Sequence, residues 1–207
     1  IEDGTLGKII SARVVLTWCK PDEYYSLSDW KGTWDKEGGG VLIDQAIHSI
    51  DLANWFINDE VESVQAHMSN RGHSIMEVDD TAEGFIKYKC GATLGFWVMN
   101  NYGCDEPIEI RLFCENGKVT MDYDNAEIIL NDGQCFTAKT TIDPDVVYED
   151  GKDYWGFQHV REIADFYDAV ENNREPTISG REALKIQKLI CEIYEKGRRN
   201  FERNSIN

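Results

Sequence analysis

The sequence predicts an α+β domain, an open and mostly antiparallel sheet with helices covering one face. Three observations carry that expectation. Runs rich in β-branched and aromatic residues follow one another between Val61 and Lys139, split by Cys90-Gly91, Asn116-Gly117 and Asp132-Gly133, as in an antiparallel meander. Two runs with helical spacing close the chain. One long apolar run, free of Gly and Pro, stands ahead of the strands and reads as a further helix.

Taken in order, residues 8–18 are β-branched and form a strand. Residues 21–36 are a polar, aromatic loop in which Tyr24, Tyr25, Trp30 and Trp34 either stack on sugar rings or pack the loop down. The apolar helix opens after Gly38-Gly39-Gly40 and closes at Asn58. A strand over 61–69 leads into a loop over 70–79, where His73 is expected to be solvated. Strands over 81–89, 92–100, 108–114, 119–123, 127–131 and 134–139 follow, with Asn116-Gly117 favouring a tight hairpin. Residues 140–156 are acidic and irregular. A helix over 157–172 carries Val160, Ile163, Ala164, Tyr167 and Val170 at helical spacing. The last helix, 179–199, begins with the capping box Ser179-x-x-Glu182 and ends in Lys196, Arg198 and Arg199, which suit its dipole.

At 207 residues the chain can bury a sizeable core. No Pro/Gly/Ser-rich linker divides it, so residues 1–207 are expected to form a single domain. A net charge of −17 repels phosphate backbones and anionic membranes, which argues against nucleic acid and membrane partners. The six scattered cysteines read as thiols of a reducing cytosol, so a cytoplasmic location is expected. The chain opens on Ile1 rather than Met, and a processed product or a fragment is the expectation.

The apolar helix holds the candidate chemistry. Asp44, His48, Asp51 and Trp55 are spaced by four, three and four, which puts them in one narrow stripe. Leu42, Ile43, Ala46, Ile50, Ala53, Phe56 and Ile57 cover most of the rest, as in a largely buried helix whose ionisable seam lines a cleft. An Asp-x-x-x-His pair also serves as a simple ion pair on a half-exposed helix. The apolar surround and the glycines directly upstream favour an active site, because glycines admit close approach and a helix start presents free N–H groups.

Gly38-Gly39-Gly40-Val-Leu-Ile-Asp44-Gln-Ala-Ile-His48-Ser-Ile-Asp51 resembles the Gly-Gly-Gly-x-x-x-Asp-x-x-x-His-x-x-Asp signature of the Gfo/Idh/MocA family, NAD(P)-dependent oxidoreductases of sugars and polyols. Trp30-Lys31-Gly32-Thr33-Trp34 is similar to its Trp-Arg element, with Lys for Arg. Residues 159–169 and 175–184 resemble its penultimate helix and the loop into the last. Ala46 stands where the family often has Gly. The resemblance covers nearly the whole chain, but only the C-terminal half of such an enzyme.

It implies that NAD or NADP is bound mainly by an N-terminal Rossmann domain, which also brings a catalytic lysine; no Gly-x-Gly-x-x-Gly occurs here. It further implies that His48 works on the substrate hydroxyl and that Asp44 hydrogen-bonds the substrate or raises the basicity of its neighbours. Lys31, Trp34 and His159 are implied to line the substrate pocket, and Gly38, Gly39 and Gly40 to lie near the nicotinamide end. Asp51, three residues past His48, is placed by spacing to orient the ring. No metal is expected. Two other classes remain open: a metal-dependent sugar enzyme with Asp44 and His48 as ligands, and a non-catalytic assembly or sugar-binding module. Along residues 92–99, Leu94, Phe96 and Val98 point one way and Trp97 and Met99 the other, so a homodimer or tetramer through the uncovered sheet face is expected. The chain alone is expected to fold but to bind no nicotinamide cofactor.

Overall fold

The computed structural model describes residues 1–122, 125–139 and 159–203. Those residues form one nine-stranded sheet in the order β8-β7-β6-β5-β1-β4-β3-β2-β9. Its strands are β1 (Ile9–Thr17), β2 (Val61–Asn70), β3 (Thr81–Tyr88), β4 (Thr93–Met99), β5 (Glu109–Cys114), β6 (Gly117–Asp122), β7 (Asn125–Leu130), β8 (Cys135–Lys139) and the short β9 (Glu202–Arg203). The helices are α1 (Asp22–Ser26), α2 (Ile47–Ile57), α3 (His159–Glu171) and α4 (Gly180–Gly197). The expected α+β class and mostly antiparallel sheet are what the chain adopts.

The meander is interrupted at one place. β4 and β5 are consecutive but not neighbours, because β1 lies between them, parallel to β4 and antiparallel to β5. Local turn signals cannot reveal this, since β1's partners lie far along the chain. The β4–β5 connection is tied over the end of β1: Trp18 N–H donates to Met99 O, Lys20 N–H to Asn100 O and Glu106 N–H to Thr17 O. A second correction concerns Asn116-Gly117. Glu115 and Asn116 make the turn, while Gly117 is already in the ladder, paired with Cys114 and Leu130. A Cβ on Gly117 would lie 2.5 Å from Ile129 O, so close strand approach, not turn geometry, requires the glycine.

Alternation sorts each strand between two faces. Ala12, Val14, Leu16, Val64, Met68, Ala82, Ile86, Leu94, Phe96, Val98, Ile110 and Leu112 point into the core, where α2 and α4 cover them with Ile50, Ala53, Ile186, Leu189, Ile190 and Ile193. Gly197 lets α4 settle against Met68, whose side chain lies 2.7 Å from where a Cβ would stand. The other face exposes Phe85, Trp97 and Phe113 around an ion triad, in which Arg13 and Arg111 both meet Glu109 at 2.6 Å. The expected stripe of α3 forms but is not core: Val160, Ile163, Tyr167 and Val170 are exposed, and Ala169 alone among its described residues is buried. The acidic stretch expected over 140–156 lies outside the described residues.

His73 is not solvated. It is buried with Asp80, whose Oδ2 lies 3.2 Å from its Nδ1, and its Nε2 meets Lys20 O. Asp80 also accepts the N–H groups of Arg71, Gly72 and His73 and the hydroxyl of Thr81. Burial works against both charges, but mutual hydrogen bonding outweighs it: the His73 pKa is raised and that of Asp80 lowered. The imidazolium's contribution is complete below its unfolded value of about 6.5 and is lost as pH rises through the higher folded value. The carboxylate's contribution is present above about 4 and is lost as pH falls through the lower folded one. The pair's contribution should therefore be greatest between roughly pH 4 and 6.5 and decline on the alkaline side. Asp80→Ala, which orphans three backbone N–H groups and a buried imidazole, should cost roughly 3–5 kcal/mol. Urea denaturation across pH checks both; an unchanged alkaline slope in His73→Leu would remove the pair as its source.

Candidate active site

The seam helix does not begin as an α-helix. Residues Leu42–Ala46 form a π-helical turn that passes into α2, which ends as expected at Asn58 in the left-handed region (φ 47°). Single π turns insert one extra residue and recur where a helix must aim a side chain. Here the turn carries Asp44.

What fixes the turn is Asp79, fully buried just before β3. Its Oδ1 accepts from Gly40 N–H at 2.9 Å and from the Tyr194 hydroxyl at 3.0 Å, and its Oδ2 accepts from Leu42 N–H at 3.1 Å. Its own carbonyl accepts Val41 N–H at 2.9 Å. Gly40 O closes the next turn by accepting from Ile43 and Asp44. A Cβ on Gly40 would stand 1.9 Å from Asp79 O, and one on Gly39 2.0 Å from the Tyr194 hydroxyl. Both glycines are buried for that reason, and Gly38 alone of the three is exposed, with φ +88°. These residues do not fit a dinucleotide's phosphates, because the N–H groups at the helix start are already taken by Asp79 and Gly40. Burial pushes the Asp79 carboxyl up to about 6 against the opposing N–H groups of Leu42 and Gly40. Burial, and then the charge of Asp79, raise the Tyr194 pKa.

Around Asp44 the loop residues gather. The Tyr24 hydroxyl donates to Asp44 Oδ2 at 3.3 Å, and the Lys31 ammonium lies 3.5 Å from the Tyr24 ring centroid. Gln45 Nε2 donates to the same Oδ2 at 2.7 Å. Glu37 takes Gly32 N–H, and its pKa is raised by burial and by Asp44, while Lys31 pulls it down. Tyr25 packs inward with Met76 and Val78, so the loop aromatics divide between packing and the site.

The expected residues divide likewise. Asp44 is half-buried, while His48, Asp51 and Trp55 stand exposed along the succeeding turns of α2. Partial burial raises the Asp51 pKa, which His48 lowers and Glu182 of α4 raises. Lys31 joins Asp44 through Tyr24. Trp34 belongs to an aromatic stack on α4, with the Arg198 guanidinium 3.8 Å from its ring centroid and Tyr194 and Phe201 edge-on at 5.8 and 5.7 Å. Arg198 also reaches Gly38 O at 3.4 Å. His159 is in the first turn of α3, in a groove lined by that helix and residues 176–178, and no hydrogen bond joins it to Asp44 or His48 among the described residues. Among those residues, no group of three or more His, Cys, Asp and Glu is placed to hold a metal, and no helix is long and apolar enough to cross a membrane. Sequence reasoning missed Asp79, Tyr194, Gln45 and Asn100, and named Tyr24 for its ring face without its bond to Asp44. A tyrosine at a core position of α4 is the one signal that was available, since a buried hydroxyl needs a partner.

Residues 1–120 match the family model described as the GFO/IDH/MocA C-terminal domain. The 1,5-anhydro-D-fructose reductase of Ensifer adhaerens is 23% identical over 197 residues, covering 89% of this chain and 52% of that protein. The myo-inositol 2-dehydrogenase of Thermotoga maritima is 30% identical over 139 residues, covering 58% of this chain and 36% of that one. The crystal structure of the WlbA dehydrogenase from Bordetella pertussis, in complex with NADH and UDP-GlcNAcA, is 25% identical, with a TM-score of 0.73 over 95% of this chain and 54% of its own. The chain thus spans about half or less of the length of these proteins.

The folded pKa of Asp79 lies above the ordinary carboxylate value. Its contribution to stability is therefore full below about pH 4 and is lost as pH rises through about 6. Asp79→Asn should flatten that part of the stability–pH curve, and Tyr194→Phe should cost roughly 1–3 kcal/mol by removing one of its donors. Thermal denaturation of both variants between pH 4 and 8 checks this; an unaltered slope in Asp79→Asn would refute it.

Proposed function

The chain belongs to the Gfo/Idh/MocA family, and from that premise we propose that it is the C-terminal, substrate-binding half of an NAD(P)-dependent oxidoreductase acting on a sugar or polyol carbinol. The observation that supports this most is the seam: an acid and an imidazole one turn apart, on the exposed side of a helix whose other sides are core. The relatives named above, reductases and dehydrogenases of sugars or polyols, support the same class.

In this reading the cofactor, NAD or NADP, is held mainly by a separate Rossmann domain and supplies the hydride acceptor. The residues of this chain do the rest. His48, exposed on the seam, takes the proton of the reacting hydroxyl. Asp44, steadied by Tyr24 and Gln45, accepts a hydrogen bond from the substrate and keeps the local field negative beside the forming imidazolium. Lys31 and the Tyr24 face border the sugar, Asp51 orients His48, and Trp34 holds Lys31's loop against α4. Gly38 is the open glycine of the three and the one a nicotinamide can approach. Taken alone, the chain turns over no substrate.

The exposed sheet face adds an assembly role. Phe85, Trp97 and Phe113 form an apolar surface that a second copy of the same face would cover, giving a homodimer or tetramer. Trp97→Glu should then yield a monomer in sedimentation at micromolar concentration. A monomeric wild-type protein under the same conditions would dispose of this role.

In the full-length protein, His48→Asn should lower the turnover number by roughly 10²–10⁴, about 3–5 kcal/mol of transition-state stabilisation, with little change in cofactor affinity. Asp44→Asn should also slow turnover and alter the pH–rate profile. Rate and melting temperature are measured on the same samples. Near-normal rates with lowered melting temperatures would reduce the pair to a structural contact.

A further inference from the structure

Consecutive side chains on an α-helix diverge by about 100° and do not face each other. In the π turn they do: Gln45 Nε2 meets its own neighbour, Asp44 Oδ2, at 2.7 Å. Gln45 is itself buried and is held from behind. Its Oε1 accepts from Asn100 Nδ2 at 3.0 Å, and that amide also reaches the Tyr25 hydroxyl at 2.7 Å. Asn100 is fully buried and anchored through its backbone, donating to Asp80 O and accepting from Lys20 N–H. The direction of the relay is forced by chemistry. A carboxylate only accepts, so Gln45 turns its NH₂ to Asp44 and its oxygen to Asn100, which must then donate.

The consequence falls on Asp44. Its Oδ2 takes two donors, Gln45 Nε2 and the Tyr24 hydroxyl, while its Oδ1 makes no hydrogen bond among the described residues. We propose that Gln45, braced by Asn100, is a positioning residue that helps saturate one oxygen of Asp44 and so presents the other to the substrate. Asp44 then meets the substrate through Oδ1 alone, and Gln45 acts on turnover only through Asp44. This rests on the reading of Asp44 as a substrate-binding acid given above.

Two measurements on the full-length protein separate the relay from that reading. The first is a crystal structure of Gln45→Met, with Tyr24→Phe as a second variant at a less buried position. The Asp44 carboxylate should lose its fixed orientation in the first and loosen in the second. An unmoved carboxylate in both overturns the relay, whatever the activity. The second is a double-mutant cycle in kcat/KM, with myo-inositol and D-glucose as probe substrates. Gln45→Met should cost about tenfold or more in the wild-type background and less than about threefold when Asp44→Asn is already present. Equal losses in the two backgrounds overturn the positioning role. If Asp44→Asn leaves kcat/KM intact, the functional reading fails; in that case, or if neither probe is oxidised, the crystal structures alone decide whether the relay stands.

Discussion

A carboxylate removed from water governs the start of the seam helix. Ionising Asp79 in the core costs several kcal/mol unless donors surround it, and three do: two backbone N–H groups from the helix start and one hydroxyl from α4. The glycines are what let them come so close. Gly39 leaves room for the Tyr194 hydroxyl and Gly40 for the Asp79 carbonyl. The π turn follows from that anchorage and sets Asp44 beside Gln45. The aspartate, the two glycines, the tyrosine and the turn therefore form one unit, and the position of the acid at the surface is decided by an acid in the interior.

That unit joins parts of the chain that the family match separates. The matched residues, 1–120, hold the seam, the loop around Tyr24 and Lys31, and Asp79. Tyr194 and Arg198 come from α4 and just after it, beyond the match, yet they hold the glycine strap and Trp34 from behind. The front of the site is made of loop and helix start, and its back is the last helix. Trp34 is the joint between the two.

How far the sequence could be read depends on the range of each interaction. Alternation and turn residues act over a few positions, so strand and helix identities along residues 61–139 and 180–197 are legible. The Gly-Gly-Gly and Asp-x-x-x-His pattern is legible for the same reason. Asp79 is not, since it reads as an ordinary loop acid beside Asp80 until its distant partners are known. His73 misleads likewise, because its partners Lys20 and Asp80 come from two loops that meet only in the fold. The π turn is invisible because one extra residue leaves the apolar pattern almost unchanged. The exposed stripe of α3 shows the opposite limit, for periodicity announces an apolar face without saying what covers it.

The place of β1 has a consequence in time. Its partners on either side, β4 and β5, lie about eighty to a hundred residues downstream. The middle of the sheet therefore cannot close until residues 93–114 have left the ribosome, although β2, β3 and β4 can pair as soon as they emerge. Until then the first strand, with Val14 and Leu16 bare, is a sticky apolar segment waiting for its slot. The loop-closure entropy of that late insertion is a cost the local hairpins do not bear.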